Sequence, residues 1–341
     1  MVEVNLVKDT DVMNDIRIFF DEAEHKYSDN LGNFYQSVTQ LLHQYQPKFN
    51  KAYWLEKKAN ELGISKKILE KQWQTITDEA CARGSKIHGG LEDGIKGASQ
   101  FAGAVKYLSQ YKDEGEMITV YDIPTMNAEY KLLDIDEFID RTNNKYKPLY
   151  DILRKFVEHD YKLYSEIGVF LHRLLISGCI DVLCLREDRF QIVDWKTNRG
   201  GLQFTSGYYK KDKSVKPAQQ TNIWVDKKES LLPPLVNLPN CNGSLYSMQL
   251  STYARMVEEI LGIPCINLCL CHIDCDFELN EYGMPKRFED GLYHIKDNPV
   301  EKLTFYKIPY LKNEVEKVFE DRKKSLINRN VTNQFKLFRD E

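Results

Sequence analysis

The chain has 341 residues, a length that suits one large domain or a core with an appended unit. Hydrophobic residues make up 42% of it, which is enough for a full core, and no apolar run is long enough to predict a membrane span. The acidic first residues lack the pattern of a secretory signal, so a cytoplasmic location is expected. Because the formal net charge is −4, nucleic-acid binding would need a local basic groove rather than a generally basic surface.

The chain is expected to divide into an N-terminal hairpin and helical segment, residues 1–79, and a core over residues 80–341. Two stretches of the core are interpreted as insertions, at about 94–145 and at 199–244. The second contains Gly-Gly, Lys-rich and Pro-Pro segments, and it follows the strand that carries the charged residues discussed below. It is therefore predicted to be a functional loop or flap near the site.

The N-terminal segment is predicted to begin with a hairpin. Strand-like residues flank a turn at Ser28–Asn33, and a helix capped by Ser37 or Thr39 follows. Residues 47–82 are predicted to be mostly helical. Their tryptophans suit core packing, although aromatic rings at this place could also stack on the bases of a single strand. These tryptophans are Trp54 and Trp73.

Two stretches are rich in lysine, Lys48–Lys71 and Lys210–Lys216. Such a stretch is commonly a solvated face. It could also contribute to the local basic groove that nucleic-acid binding would need in a chain of negative net charge.

The helical pattern continues toward Glu92. Apolar residues recur at helical spacing, and Gly84 is a mild breaker within them. His88 and Glu92 are four residues apart and so share one helix face. A lone helical histidine is commonly structural, but an imidazole could also complete a metal site, and Glu92 could be a helix-stabilising charge or a partner of His88. The apolar residues are Trp73, Ile76, Ala80, Ile87 and Leu91.

A helix over Leu149–Tyr164 is predicted to lead into a strand that carries Glu166 and runs to Leu171. An acidic residue at that place is either a functional carboxylate or an ordinary strand-end charge. The following residues, HRLLIS, contain no clear turn signal, so the register to the next strand stays open.

The segment Gly178–Thr197 is predicted to form an antiparallel hairpin of two otherwise apolar strands, CIDVLCL and FQIVDWK. If the Glu-Asp pair between them forms a two-residue turn, Asp181 lies opposite Asp194 across the ladder. Opposite side chains on one face are about 5 Å apart. Lys196 then shares the face of Asp194, and Trp195 points away.

Two facing carboxylates at about 5 Å repel by roughly 3 kcal/mol at an effective dielectric constant of 20. A divalent cation between them would turn this repulsion into chelation, and oxygen ligands favour Mg²⁺ or Mn²⁺. The alternative is a surface hairpin with solvated acids and a salt-bridged lysine. Apolar residues on both faces favour the centre of a covered sheet instead. They are Leu183, Leu185 and Ile192 on one face and Ile180, Val182 and Val193 on the other.

A helix over Tyr246–Leu261 is marked by its apolar stripe and ends at Gly262. Gln249 and Tyr253 share one face of it, although Tyr253 could also be ordinary core packing. The run INLCLCHID then predicts a core strand. Near the C-terminus, LTFYKIPY predicts another strand, followed by a helix over Val315–Ile327.

Four of the eight cysteines occupy odd positions in and beside this predicted core strand, so they are expected to share one strand face. The outer two would be about 33 Å apart in an extended strand, too far to bind one cluster. Free cysteine packs as a small hydrophobe, so an iron–sulfur cluster is not expected. Without a secretory signal, reduced thiols are predicted. The four residues are Cys265, Cys269, Cys271 and Cys275.

Together these motifs resemble the PD-(D/E)XK nuclease superfamily, and within it the RecB-type exonucleases, which include phage and mitochondrial DNA-end exonucleases. GCID followed by DWKT resembles the family's catalytic hairpin, with Cys-Ile in place of the usual proline. Gly84–Glu92 resembles its upstream G-[ST]-x-x-H-x-x-L-E helix, Glu166 corresponds to an acidic residue on the first core strand, and Gln249–Tyr253 resembles its Q-x-x-x-Y motif. The matches occur in family order and span roughly residues 80–275.

The resemblance implies an α/β fold with a restriction-endonuclease-like core, in which helices flank a central mixed sheet. It implies a divalent-metal-dependent DNA exonuclease that hydrolyses phosphodiester bonds at DNA ends or in single strands during replication, recombination or repair. Mg²⁺ or Mn²⁺, as one or two ions, would be the cofactor. The substrate would be DNA that is single-stranded or has free ends.

The resemblance also implies roles for individual residues. The catalytic residues would be Asp181, Asp194, Lys196 and Glu166. The metal ligands would be His88, Asp181, Asp194 and the backbone carbonyl of Trp195. The residues that bind substrate or support the site would be Gln249, Tyr253, Glu92 and Thr197.

Two alternatives remain: an endonuclease on the same fold and a catalytically silent scaffold that binds nucleic acid. The intact set of Asp181, Asp194 and Lys196 argues against the scaffold, because loss of catalysis normally removes one of them.

Overall fold

Strands and helices build a layered α/β structure. The computed structural model describes residues 18–21, 26–29, 31–99, 107–108, 116–118 and 134–337. The strands of this part are β1 (Ile18–Asp21), β2 (Lys26–Asp29), β3 (Phe34–Ser37), β4 (Tyr107–Leu108), β5 (Glu116–Ile118), β6 (Lys162–Leu171), β7 (Ile176–Leu185), β8 (Phe190–Lys196), β9 (Gly207–Asp212), β10 (Gln219–Asp226), β11 (Cys265–Asp274) and β12 (Lys302–Ile308). Its helices are α1 (Val38–His43), α2 (Lys51–Leu62), α3 (Lys66–Ser99), α4 (Ile135–Arg141), α5 (Lys147–Glu158), α6 (Asn242–Leu261) and α7 (Lys312–Leu337), with a 3₁₀ turn at His172–Leu174.

A mixed sheet forms the centre of the fold, and β7 lies in its middle. β6 pairs antiparallel along one edge of β7, while β3 and β8 share the other edge, β3 parallel and β8 antiparallel. The sheet continues from β8 through β11, which is parallel to it, to β12. This arrangement confirms the predicted α/β fold with a central mixed sheet, and it is compatible with a restriction-endonuclease-like core.

Helices cover both faces of this sheet. α1, α6 and α7 pack on one face through a first core cluster that includes Leu41 and Met248. α3, α4 and α5 pack on the other face through a second core cluster that includes Leu91, Leu149 and Trp195. Because both faces are covered, the central strands are apolar on both sides.

The β7–β8 hairpin has the predicted register. Val182 pairs with Val193, and the pairing continues without a register shift to the end of β7. The chain reverses at a two-residue turn, which the backbone N–H of Arg186 closes by donating to the carbonyl of Arg189 at 2.9 Å. The hairpin therefore places Asp181 and Asp194 on neighbouring strands, just beyond the last regular pair.

A notch opens in the edge of β7 where the ladder to β8 ends. On this edge β3 pairs only with Ile176 and Ser177, and β8 pairs only from Val182 onward. Residues 178–181 thus have no strand partner on that side. The side chains and backbone groups around this notch are available for other contacts.

Glu166 and Asp181 interrupt the pairing on the opposite edge of β7. Glu166 has a φ of +53°, a left-handed conformation that residues other than glycine rarely adopt, and neither residue joins the regular pairing of β6 with β7. Ile180 lies in the first core cluster together with Leu183, whereas Val182 lies in the second. The prediction that Ile180 shares the face of Val182 is therefore wrong, because the interruption breaks the alternation of side chains along the strand.

The helices largely follow the predicted pattern. α6 and α7 cover the two helices predicted in the C-terminal half, and no helix of the described residues is long and apolar enough to cross a membrane. The helix predicted over Leu149–Tyr164 is wrong at its C-terminal end, because α5 stops at Glu158 and β6 begins at Lys162. Asp160, with a φ of +61°, lies in the turn between them.

The N-terminal hairpin is confirmed. β2 pairs antiparallel with β3, and Ser37 caps α1 by accepting a hydrogen bond at its Oγ from the Gln40 backbone N–H at 3.2 Å. Residues 199–244 contain more structure than a loop. β9 and β10 form their own two-stranded antiparallel sheet, and Leu231 in the segment that follows is buried in the first core cluster. Most of the stretch 94–145 lies outside the described residues.

The cysteines of β11 do not all share one face. Cys265 packs against the first core cluster, whereas Cys271 is buried in the second. The register between β11 and β8 shifts between Cys265 and Asn267, and this irregularity changes the alternation. The predicted common face is therefore wrong for Cys265.

The close packing of α6 on β7 gives a stability prediction. A Cβ atom at Gly178 would lie 2.4 Å from Cε1 of the Tyr253 ring, so Gly178→Ala overpacks this contact. We expect it to lower the free energy of unfolding by about 1–3 kcal/mol in urea denaturation. Gly89→Ala is the matched control, because a Cβ there meets no atom within 4 Å and alanine favours the helix. An unchanged Gly178→Ala midpoint would contradict this packing.

Candidate active site

Four elements bring the charged side chains of the sequence motifs to the notch in β7. α3 supplies His88, β6 supplies Glu166, and β7 supplies Asp181. The end of β8 supplies Asp194 and Lys196. α6 crosses the same place and adds the motif that contains Gln249 and Tyr253, so all four matching segments meet although about 165 residues separate the first from the last.

Asp181 holds the two parted strands together. Its Oδ2 accepts a hydrogen bond from the backbone N–H of Trp195 at 2.7 Å, and the residue is 8% exposed. A side chain thus replaces the ladder contact that the strands no longer make. Burial, and then the neighbouring carboxylates of Asp194 and Glu166, raise the pKa of Asp181 well above its usual value.

His88, Glu166 and Asp181 form a group that could hold a metal ion. One ligand atom from each lies within 4.8 Å of the others, and His88 Nδ1 lies 3.6 Å from Asp181 Oδ2. Burial is the largest effect on the pKa of His88, and it lowers this pKa. Asp194, Glu92 and the backbone carbonyl of Trp195 raise it, but the net pKa is still lowered. A neutral imidazole is the form that binds a metal ion. The backbone carbonyl of Trp195 faces His88, and the Trp195 ring is buried in the second core cluster.

Asp194 and Lys196 form a buried ion pair beside this group. Lys196 Nζ lies 2.6 Å from Asp194 Oδ2, and the two side chains are 14% and 4% exposed. Burial alone would lower the pKa of Lys196, but Asp194 and Asp181 outweigh it and the net pKa is raised. Lys196 is therefore an ammonium at neutral pH.

α6 fixes the position of the Lys196 ammonium. Nζ donates to Gln249 Oε1 at 3.1 Å, and Gln249 Nε2 in turn lies 3.2 Å from the Tyr253 hydroxyl and 3.3 Å from Thr39 Oγ1, to which it donates. Tyr253 is 4% exposed and belongs to the first core cluster. The ring of Tyr253 thus packs in the core while its hydroxyl accepts a hydrogen bond from Gln249.

The donor set fits a hard divalent cation. Three buried or half-buried carboxyl groups, Glu166, Asp181 and Asp194, lie in the cluster with one ammonium, so acidic groups outnumber basic ones. Asp194 Oδ2 is buried and contacts Lys196, but it accepts no aligned hydrogen bond within the described part of the chain. Two carboxylates and one imidazole are ligands that suit Mg²⁺ or Mn²⁺, with the imidazole favouring Mn²⁺.

Thr197 and Glu92 lie at the edge of the cluster. A Cβ at Gly84 would lie 3.2 Å from Thr197 Oγ1, so the absence of a side chain at Gly84 lets α3 cross close to the end of β8. Arg83 secures this crossing by donating a hydrogen bond to the Thr197 carbonyl. Glu92 is half-buried, four residues after His88, and its charge acts on the imidazole.

Sequence reasoning missed three residues of the site. Tyr246 lies under the Lys196 ammonium at 4.6 Å from ring centroid to Nζ, and its position three residues before Gln249 on one helix was a usable signal. Thr39 was considered only as a cap of α1, yet it accepts a hydrogen bond from Gln249. Cys179 donates to Glu166 Oε2 at 3.1 Å, and no sequence pattern pointed to that contact.

Comparison with known proteins gives a partial similarity. Over 101 residues the chain is 32% identical to an ATP-dependent helicase/nuclease subunit of Carboxydothermus hydrogenoformans. The aligned region is 30% of this chain and 6% of that protein, so the chain matches only a small part of its relative. No family model matches the chain, and no solved structure matches it. The similarity is consistent with a RecB-like nuclease.

Proposed function

We propose that this chain is a divalent-metal-dependent DNA nuclease that acts as an exonuclease on DNA ends or single strands. The observation that carries the proposal is the meeting of His88, Glu166 and Asp181 within 4.8 Å, next to the buried pair of Asp194 and Lys196. Buried carboxylates and an ammonium at one notch are costly to desolvate, and such groups cluster at functional sites.

The site residues would divide the work of phosphodiester hydrolysis. His88, Glu166, Asp181 and the Trp195 carbonyl would hold the cation, with Asp194 beside them. A bound divalent ion supplies the positive charge that polarises the phosphodiester and acidifies the attacking water. Lys196 would orient that water and offset the negative charge that develops on the phosphoryl oxygens.

DNA and the exonuclease mode rest on two supports. The motif order resembles RecB-type exonucleases, and the partial relative is named as a helicase/nuclease subunit. An endonuclease on the same fold is the second candidate. Covalently closed single-stranded circles separate the two, because an exonuclease leaves them intact.

The first test is cleavage of DNA labelled at either its 5′ or its 3′ end, single- or double-stranded, with Mg²⁺ or Mn²⁺. Lys196→Ala and Asp194→Asn are each expected to lower the cleavage rate by about 10²–10³-fold or more. The first removes the positive charge that would stabilise the reacting phosphate, and the second removes the carboxylate that holds this ammonium and lies beside the cation. The control is Lys323→Ala, an exposed lysine of α7 outside the site, which should cleave like the wild type.

Circular dichroism should show that both inactive variants remain folded. Near wild-type cleavage by Lys196→Ala would refute the catalytic assignment. Wild-type binding without cleavage under either metal would favour the silent scaffold instead.

The second test concerns the metal ion. Adding MnCl₂ should raise the melting temperature, since a ligand at a hundredfold its Kd stabilises by about 2.7 kcal/mol. Asp181→Asn should abolish this rise, and it should also stabilise the metal-free protein, because it relieves repulsion between buried carboxylates. Asp188→Asn, an exposed acid in the turn of the same hairpin, is the control. An equal MnCl₂ effect on wild type and Asp181→Asn would place the ion elsewhere.

The third test separates positioning from chemistry. Gln249→Ala removes the acceptor that orients the Lys196 ammonium but leaves the ammonium in place. Partners of this kind commonly change activity by about 10–100-fold. We expect a loss of that size in kcat, smaller than the loss for Lys196→Ala. A loss confined to KM would instead assign Gln249 to substrate binding.

A further inference from the structure

A basic cleft adjoins the end of the catalytic strand β8. It is a cavity of about 700 Å³ between α3, over residues 76–83, and the segment 277–295 that follows β11. Arg83 and Arg199 line it. Arg199 lies three residues after Lys196, and Arg83 donates to the carbonyl of Thr197, so the cleft begins where the catalytic strand ends.

The segment 277–295 bridges α3 at two places. Gln72 Nε2 donates to the Asp290 carbonyl at 2.8 Å, and the guanidinium of Arg83 lies over the Phe277 ring at 5.4 Å. These two residues of α3 are about 16 Å apart along the helix axis. The cavity lies between the two contacts, so segment and helix together form an arch.

Cations from distant parts of the chain converge on this arch. The charges of Arg83 and Arg287 act on Arg199, and those of Arg287, Lys58 and Arg199 act on Lys211. The two lysine-rich stretches of the sequence thus meet, one from α2 and one from β9. Acids also lie beside them: Glu61, which Lys58 engages at 2.6 Å, Glu79 in the wall of the cavity, and Asp290, which lies 2.9 Å from the cavity-lining His294. In a chain of net charge −4 this concentration of positive charge is local.

The guanidinium groups of Arg199 and Arg83 are fixed in place and still have N–H donors without an acceptor in the described part of the chain. Arg199 stacks on the Tyr293 ring at 3.6 Å, and within the described residues it has no carboxylate or hydrogen-bond partner. Arg83 Nε is buried and lacks an acceptor among the described residues. Planar guanidinium groups are well suited to bind phosphate, and the half-buried Tyr293 ring could stack on a base.

We propose that this arch binds a single strand of DNA and leads it to the active site. The inference rests on the proposed function, because it gives a path to the substrate of that same site. An unpaired strand presents phosphates at regular intervals together with stackable bases, which fits a cleft lined by Arg83, Arg199 and Tyr293. A duplex keeps its bases stacked on one another, so it offers an aromatic side chain no free base face.

The test is binding of a fluorescein-labelled single-stranded oligonucleotide to the full chain, measured by anisotropy in EDTA so that no cleavage occurs. Arg199→Ala and Lys211→Ala should each weaken binding about tenfold near 100 mM salt, and each should reduce the slope of log affinity against log salt by about 0.7. Lys323→Ala, on α7, is the control and should bind like the wild type. Matched melting temperatures check that the variants fold.

The outcomes separate this inference from the proposed function. If the wild type cleaves DNA but neither arch variant weakens binding, the arch is refuted and the nuclease stands. If binding depends on Arg199 but no metal supports cleavage, the arch stands and the nuclease is refuted. Equal affinity for a duplex of the same length, or displacement by polyglutamate as effective as by unlabelled DNA, would refute a single-strand path.

Discussion

The site depends on one hydrogen bond that takes the place of a ladder contact. At the point where β7 and β8 part, the Asp181 carboxylate accepts the backbone N–H of Trp195 at 2.7 Å. That contact keeps the strands near each other while leaving residues 178–181 without a strand partner on one side. The resulting notch gives His88 access to Asp181 from α3, and the left-handed backbone at Glu166 brings a further carboxylate into the group. A fully regular sheet would have filled this space with backbone pairing.

The electrostatics of the notch follow from that geometry. Three carboxyl groups share a space with one ammonium, and burial strengthens every interaction between them. The helices then determine how the charges are held. α6 fixes Lys196 through Gln249 and Tyr246, and its close contact with β7 needs the missing side chain of Gly178. α3 approaches β8 where Gly84 leaves room for Thr197. Two glycines therefore set how closely both helices approach the charged group.

The sequence predicted what depends on local patterns. The period-two alternation and the short turn determined the β7–β8 register, and the i, i+4 spacings placed His88 with Glu92 and Gln249 with Tyr253. It failed where a single residue breaks a pattern: Glu166 disrupts the alternation that would place Ile180, and a bulge turns Cys265 to the other face. Contacts between distant segments, such as Thr39 with Gln249, leave no local signal at all. Asp160 is another single residue that breaks a pattern, because its left-handed turn ends α5 earlier than the sequence predicts.

The proposed arch would extend the contacts of a substrate from the reacting phosphate to the rest of the strand. A site in which acidic groups outnumber basic ones repels a polyanion until a cation neutralises it, so binding energy must come from a neighbouring surface. Arg83 belongs to both regions, since it secures α3 to the Thr197 carbonyl and also lines the cleft. Its attachment ties the helix that carries His88 to the wall that would guide the strand. Because α3 carries both Arg83 and His88, and Arg83 contacts the residue after Lys196, a strand bound at Arg83 would lie next to the notch.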